Sequence, residues 1–202
     1  MPTETSLPAT DARILAIAAD HVRRHGFGRT TVVSVAEAAG MTHANIYRYF
    51  PSKVALGDAV TAEWLKPIEL MLATVADAPD PADDKLERMI LALAGAQRDK
   101  LEADPFLFDL FAAAHEASRG VARKHRARVR GLLDRVIEEG LASGIFTIRR
   151  RERAAALVQD AVFRFMTPGS IRADRDLPRR ALDDRLAAVT AMLIRSLKAG
   201  TV

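Results

Sequence analysis

The chain has no cysteine among its 202 residues. A disulfide framework, a thiolate nucleophile and Cys-based zinc sites are therefore excluded, which fits a reducing cytoplasm. No uninterrupted apolar run approaches membrane-spanning length, so no membrane partner is expected. The N-terminus MPTETSLPATD lacks the basic start, apolar core and small-residue cleavage site of a secretory signal, and cytoplasmic localisation is the expectation. Catalytic signatures are missing too. There is no GxSxG, no phosphate-cradling glycine loop and no HExxH, and the five histidines have no obvious carboxylate partner. No enzymatic activity, cofactor or metal is expected. A large excess of one charge is also absent: 30 Lys and Arg face 26 Asp and Glu, for a formal charge of +4. The pI of 9.7 leans only weakly toward anionic partners.

What is present is helical periodicity. Residues 1–9 are polar and without period and read as a tail. From Asp11, the positions Ile14, Ile17, Ala18, His21 and Val22 recur at helical spacing, with Gly26 as the expected stop and Phe27 anchoring the turn. Thr31 suits the N-cap of a second helix with Val32, Val35, Ala36 and Ala39 inward, and Gly40 supplies a left-handed exit. Thr42 caps a third, with Ile46 and Phe50 on its buried side, and Pro51 ends it. Ser52 caps a fourth that carries Leu56, Val60, Trp64 and Met71, interrupted at Pro67, where a kink or an end is expected.

The stretch DAPDPADD, 77–84, is a connector. Helical patterns follow at 81–101, 105–117, 121–143, 151–166 and 178–199, the third with Val129, Leu132, Leu133, Val136, Ile137 and Leu141 in one stripe and Gly144 as its stop. No segment alternates like a strand, and 146–148 is too short to build a sheet. The fold class is all-α, with about nine helices.

The functional signal lies in TTVVSVAEAAGMTHANIYRYFPSK, 30–53. Here a helix, a tight turn and a short second helix give the layout of a DNA-reading helix-turn-helix. His43, Ala44, Tyr47 and Arg48 share one face of the third helix. Arg suits guanine edges, and Tyr and His bond phosphates or bases. Lys53 adds a point charge just beyond it.

At these residues the chain resembles the TetR family of bacterial one-component transcription regulators. The match runs over 13–64: an apolar first helix ending in HGF, then TT, AEAAG, a Thr-capped third helix, IYRYF, PSK and an apolar fourth helix. The resemblance implies a helix-turn-helix DNA-binding domain at 10–53 and a larger ligand-binding and dimerisation domain at 54–202. It places Thr31, Tyr47 and Lys53 on phosphates and Thr42, His43, Ala44, Asn45 and Arg48 on base edges, with Tyr49 turned either to DNA or to the core. Val33, at a position that reads bases in some members, offers a methyl contact at most.

By the same resemblance the last two helices form the dimer interface, with Leu157, Ala161, Phe165, Leu182, Leu186, Val189 and Leu193 as candidates. An effector pocket is sought among Trp64, Met71, Met89, Gln97, Phe108, Phe111, His115, Phe163 and Met166, of which Gln97 and His115 stand out because polar groups in an apolar pocket orient a ligand. The basic run 119–130 is expected to be solvated, with the charges at 123, 126 and 130 opposite Val129 and Leu133. The triplet 149–151 is read as a loop.

The resulting expectation is a homodimeric repressor on a pseudo-palindromic double-stranded operator, released by a small apolar or amphipathic effector. The competing reading is a helical adaptor that binds small molecules or proteins without an operator.

Overall fold

The computed structural model describes residues 10–148 and 151–201, and among them the chain forms ten helices and no strand. These are α1 (Thr10–Arg29), α2 (Val32–Ala38), α3 (His43–Tyr49), α4 (Lys53–Ala76), α5 (Ala82–Ala103), α6 (Pro105–Glu116), α7 (Gly120–Ala142), α8 (Arg151–Met166), α9 (Pro168–Ala173) and α10 (Arg179–Ala199). The stretch 1–9 and the first two arginines of the 149–151 triplet lie outside the described residues. The helix beyond the expected nine is α9, whose six residues are too short to show a period.

Hydrogen-bonded side-chain caps set where the three helices after α1 begin. The Thr31 hydroxyl accepts the Ser34 N–H at 3.0 Å while Ser34 Oγ accepts the Thr31 N–H at 3.1 Å, a capping box with serine in the place usually held by glutamate. Thr42 accepts from the Asn45 N–H at 3.3 Å and Ser52 from the Ala55 N–H at 3.0 Å. Each such cap contributes about 0.5–2 kcal/mol. The inward side of α2 is as its spacing requires, with Val32, Val35, Ala36 and Ala39 all buried.

Of two expected breaks one is present and one is not. At Gly26 the backbone leaves helical geometry (φ 75°, ψ 159°), a conformation open to glycine, so the first helix stops there as expected and a separate short turn completes α1 to Arg29 beyond the kink. Thr30 secures that last turn, its hydroxyl donating to the Gly26 carbonyl at 2.9 Å. Pro67 does not end α4, which continues to Ala76. The buried residues Leu65, Ile68 and Leu72 on either side of it hold the helix in place.

Helix α4 packs against α1, α5, α6 and α7 and so joins the first three helices to the rest. Near its middle the Trp64 indole N–H donates to Asp104 Oδ2 at 3.0 Å, and Arg23 of α1 donates to the other oxygen at 2.8 Å. Burial pushes the Asp104 carboxyl up, but these two bonds, together with the charges of Arg23 and Lys100, outweigh it and hold the group below its ordinary pKa. At the far end of α4, the Lys85 ammonium is 3% exposed and donates to the Ala76 and Ala78 carbonyls at 3.3 and 3.2 Å and to Glu139 at 2.6 Å. All three of its donors are used, which is what permits a buried charge there.

At the end of α7, the Phe146 N–H donates to the Gly140 carbonyl at 2.9 Å and its ring packs directly against the glycine. A Cβ at Gly140 would overlap that ring. Gly140→Ala is therefore expected to destabilise the protein by about 1–3 kcal/mol through overpacking, read as a lower midpoint in urea. An unchanged midpoint would show that Phe146 yields freely.

Candidate functional site

Seven residues long, α3 is divided cleanly between core and solvent. Ile46 is fully buried and Phe50, its C-cap, is half-buried. Thr42, His43, Ala44, Asn45, Tyr47, Arg48 and Tyr49 are all exposed, Tyr47 and Tyr49 by 47% and 48%. His43 and Tyr47, one turn apart, meet edge to face with centroids 6.5 Å apart. Tyr49, left open by the sequence, is therefore outside the core. On α2, Val33 is 53% exposed and presents only methyl groups.

The two outer phosphate candidates already have partners within the chain. The Thr31 hydroxyl is occupied by the capping box. Lys53 donates to the Gly28 carbonyl at 3.0 Å and lies over the Phe27 ring at 4.8 Å, so it clips the start of α4 to the end of α1. Two of its three ammonium donors remain for another acceptor.

A second site lies between α5, α6, α7 and α8. A cavity of about 490 Å³ is lined by Leu93, Gln97, Phe111, His115, Arg123, His125, Arg126, Ala127, Val129, Arg130, Leu133, Gln159, Val162, Phe163, Met166, Thr167 and Pro168. Five of the nine expected ligand residues are here: Gln97, Phe111, His115, Phe163 and Met166. The other four are not. Trp64, Met89 and Phe108 are interior packing, with Phe108 completely buried and its ring 6.3 Å from Trp64 and 6.1 Å from Phe111, and Met71 is half-buried against the same core. Large apolar side chains on these helices fill the body of the domain before they reach the cavity.

In the basic run on α7, Arg123, Arg126 and Arg130 are exposed as expected, but they border the cavity beside Val129 and Leu133 rather than opposite them. Leu133 lies two helical turns beyond Arg126, hence on the same side. His125, which the sequence left unmarked within this run, is 4% exposed; its Nδ1 lies 2.9 Å from Glu69 of α4 and its ring meets Phe111 edge to face. Burial lowers its pKa against the opposing pull of Glu69. His115 is lowered by burial and by the neighbouring Arg126. A neutral His125 donating from Nδ1 to Glu69 ties the cavity wall directly to α4.

The family model for bacterial regulatory proteins of the tetR family matches residues 14–60, and the model for the tetracyclin repressor-like C-terminal domain matches residues 82–190. The chain belongs to the TetR family. No curated protein matches the sequence. Among solved structures, a TetR/AcrR-family transcriptional regulator of Thermobifida fusca superposes with a TM-score of 0.67 at 20% identity, covering 91% of this chain and 96% of that one. FadR of Bacillus subtilis, solved with stearoyl-CoA, gives 0.61 at 17% identity over 94% and 98%. RolR in complex with resorcinol gives 0.62 at 20% identity over 93% and 87%. At these identities the likeness establishes the TetR fold, with its N-terminal helix-turn-helix and helical C-terminal domain. None of the helices described for this TetR-family regulator is long and apolar enough to cross a membrane.

Within the TetR fold the proposed dimer set divides. Leu182, Leu186 and Leu193 are 3%, 3% and 2% exposed, turned inward where α10 packs on α5 and α8. They are core, because a stripe spent on the chain's own interior is closed to a partner. Leu157, Ala161 and Phe165 are half-buried against that core, and Val189 is half-buried. The outward apolar residues of the two helices are others: Phe163 on α8, 62% exposed, and Met192 on α10, 55% exposed.

Proposed function

We propose that this TetR-family regulator is a ligand-responsive repressor that binds a pseudo-palindromic operator as a homodimer and is released by a small apolar or amphipathic effector. In this reading residues 10–53 form the DNA-binding domain and 54–202 the effector and dimerisation domain. One observation carries it: α3 buries Ile46 and leaves a continuous polar and aromatic face of His43, Asn45, Tyr47, Arg48 and Tyr49 in solvent. A helix built this way fits a major groove, with Arg48 aimed at guanine edges and Tyr47 at the backbone.

Two copies related by a two-fold would place their α3 helices about 34–36 Å apart, one turn of DNA. The outward Phe163 and Met192, with the exposed Ala156 and Ala188 permitting close approach, suit a partner's α8 and α10. The ligand complexes of FadR and RolR support an effector role for the cavity. An effector acts by preferring a conformer with the wrong spacing, and its effect is limited by its differential affinity for the two.

The test is binding of purified protein to the promoter fragment beside its own gene at several salt concentrations. Two chains per site are expected, with log K falling linearly against log salt with a slope near −0.9 per phosphate neutralised. Equal affinity for scrambled fragments of the same length would overturn the operator reading.

A further inference from the structure

We infer that the cavity between α5, α6, α7 and α8 takes an organic anion, a carboxylate or sulfonate on an apolar body that also carries a hydrogen-bonding group. The inference rests on the reading above in one respect, that this cavity is the ligand site. Its chemistry comes from how the chain distributes charge around it.

Helix α7 sorts its arginines by direction. Arg119, Arg128 and Arg135, which point away from the cavity, each reach a carboxylate, Asp58 at 2.7 Å, Glu69 at 2.5 Å and Asp77 at 2.8 Å. The cavity-lining arginines do not follow this pattern. Among the described residues Arg123 and Arg126 have no carboxylate within ion-pair distance; Arg123 donates to the Ser118 carbonyl, and Arg126 lies 3.4 Å from His115 Nε2. Arg130 has only Asp134, at 3.6 Å.

Among the described residues, no aspartate or glutamate lines the cavity. Exposed guanidinium groups gathered around the mouth of an apolar space, with almost no counterion among them, create a positive potential at its entrance. Arg126 already helps to keep His115 deprotonated. An oxyanion, bonded by the guanidinium fork, satisfies this arrangement and a neutral or cationic head does not.

The apolar body has its own wall, formed by Leu93, Phe111, Leu133, Val162 and Met166. In that wall Gln97 is 4% exposed and its Oε1 has no hydrogen-bond partner. A buried amide left unpaired costs free energy until something pairs with it. A hydroxyl on the ligand meets Gln97 whichever way the amide is turned.

The test uses four probes on the full-length protein by calorimetry: decanoate, 10-hydroxydecanoate, decanol and decylamine. Decanoate is expected to bind at least ten-fold more tightly than decanol and decylamine, and 10-hydroxydecanoate more tightly still. In the double variant Arg123→Gln, Arg126→Gln, decanoate affinity is expected to fall about ten-fold with decanol unchanged and the melting temperature preserved. Decanol or decylamine binding within two-fold of decanoate, equal losses for acid and alcohol in the variant, or no binding of either acid would each overturn the inference.

Release of the promoter fragment is followed in parallel. An acid that binds without releasing DNA upholds the ligand class and removes the effector reading. An alcohol that binds as tightly as the acid and does release DNA preserves the effector reading and removes the ligand class.

Discussion

Replacing Tyr47 and Arg48 together with alanine is expected to lower affinity for the promoter site by at least about 100-fold at constant salt while leaving the fold intact. A bidentate arginine contact to guanine accounts for about 1–3 kcal/mol, and in a homodimer its loss counts twice. Tyr47 adds a backbone contact on each half-site. Both side chains are exposed, and neither belongs to the buried set around Ile46. Surface replacements of this kind stay within about 0.5 kcal/mol each, and alanine favours the helix. Fluorescence anisotropy with a labelled fragment and a circular-dichroism melt check the two halves. Retained affinity would remove α3 as the reading helix, and a collapsed melt would mean that the face is structural.

The second large effect is on stability. Phe108→Ala is expected to cost about 3–5 kcal/mol, a fall in melting temperature of about 6–20 °C for a chain of this length. Phe108 is completely enclosed, edge to face with both Trp64 and Phe111. Its removal leaves a void among α4, α6 and their neighbours that a packed interior fills only in part. A fall below about 3 °C would mean that the site can collapse around the alanine and that the aromatic cluster is looser than its geometry indicates.

Much of this architecture was legible because it rests on local signals. Thr31, Thr42 and Ser52 mark helix starts by the hydrogen bonds they offer, and Gly40 and Gly144 mark turns by their positive φ of 64° and 74°. Ile46 and the side chains opposite it separate by period alone. What was not legible depends on which of several neighbours a greasy stripe meets. Leu186 has the same spacing whether it faces α5 or a second chain, and only the fold decides. Phe108 and Phe111 are three residues apart on one helix, yet only Phe111 reaches the cavity.

The basic run on α7 was legible in its exposure but not in its neighbours. Arg123, Arg126 and Arg130 are in solvent as their charge suggests, yet an arginine can also border an apolar space when its stem packs and its head stays at the mouth. His125 was hidden by the same run, although its place between a cavity and Glu69 sets it apart in space. Gly26 looks like a break in sequence and is one, whereas Pro67 lies within a longer helix because packing holds the chain on either side.

Lys85 fixes the end of α4 furthest from α3, fastening Ala76 and Ala78 to α7 through Glu139. A rod held at one tip swings widest at the other. With 24 residues at about 1.5 Å each, α4 is about 36 Å long, so a tilt of only about 5° about that fastening carries Lys53 through about 3 Å. The charge that clips α4 to Gly28 therefore sits where the smallest rotation produces the longest travel.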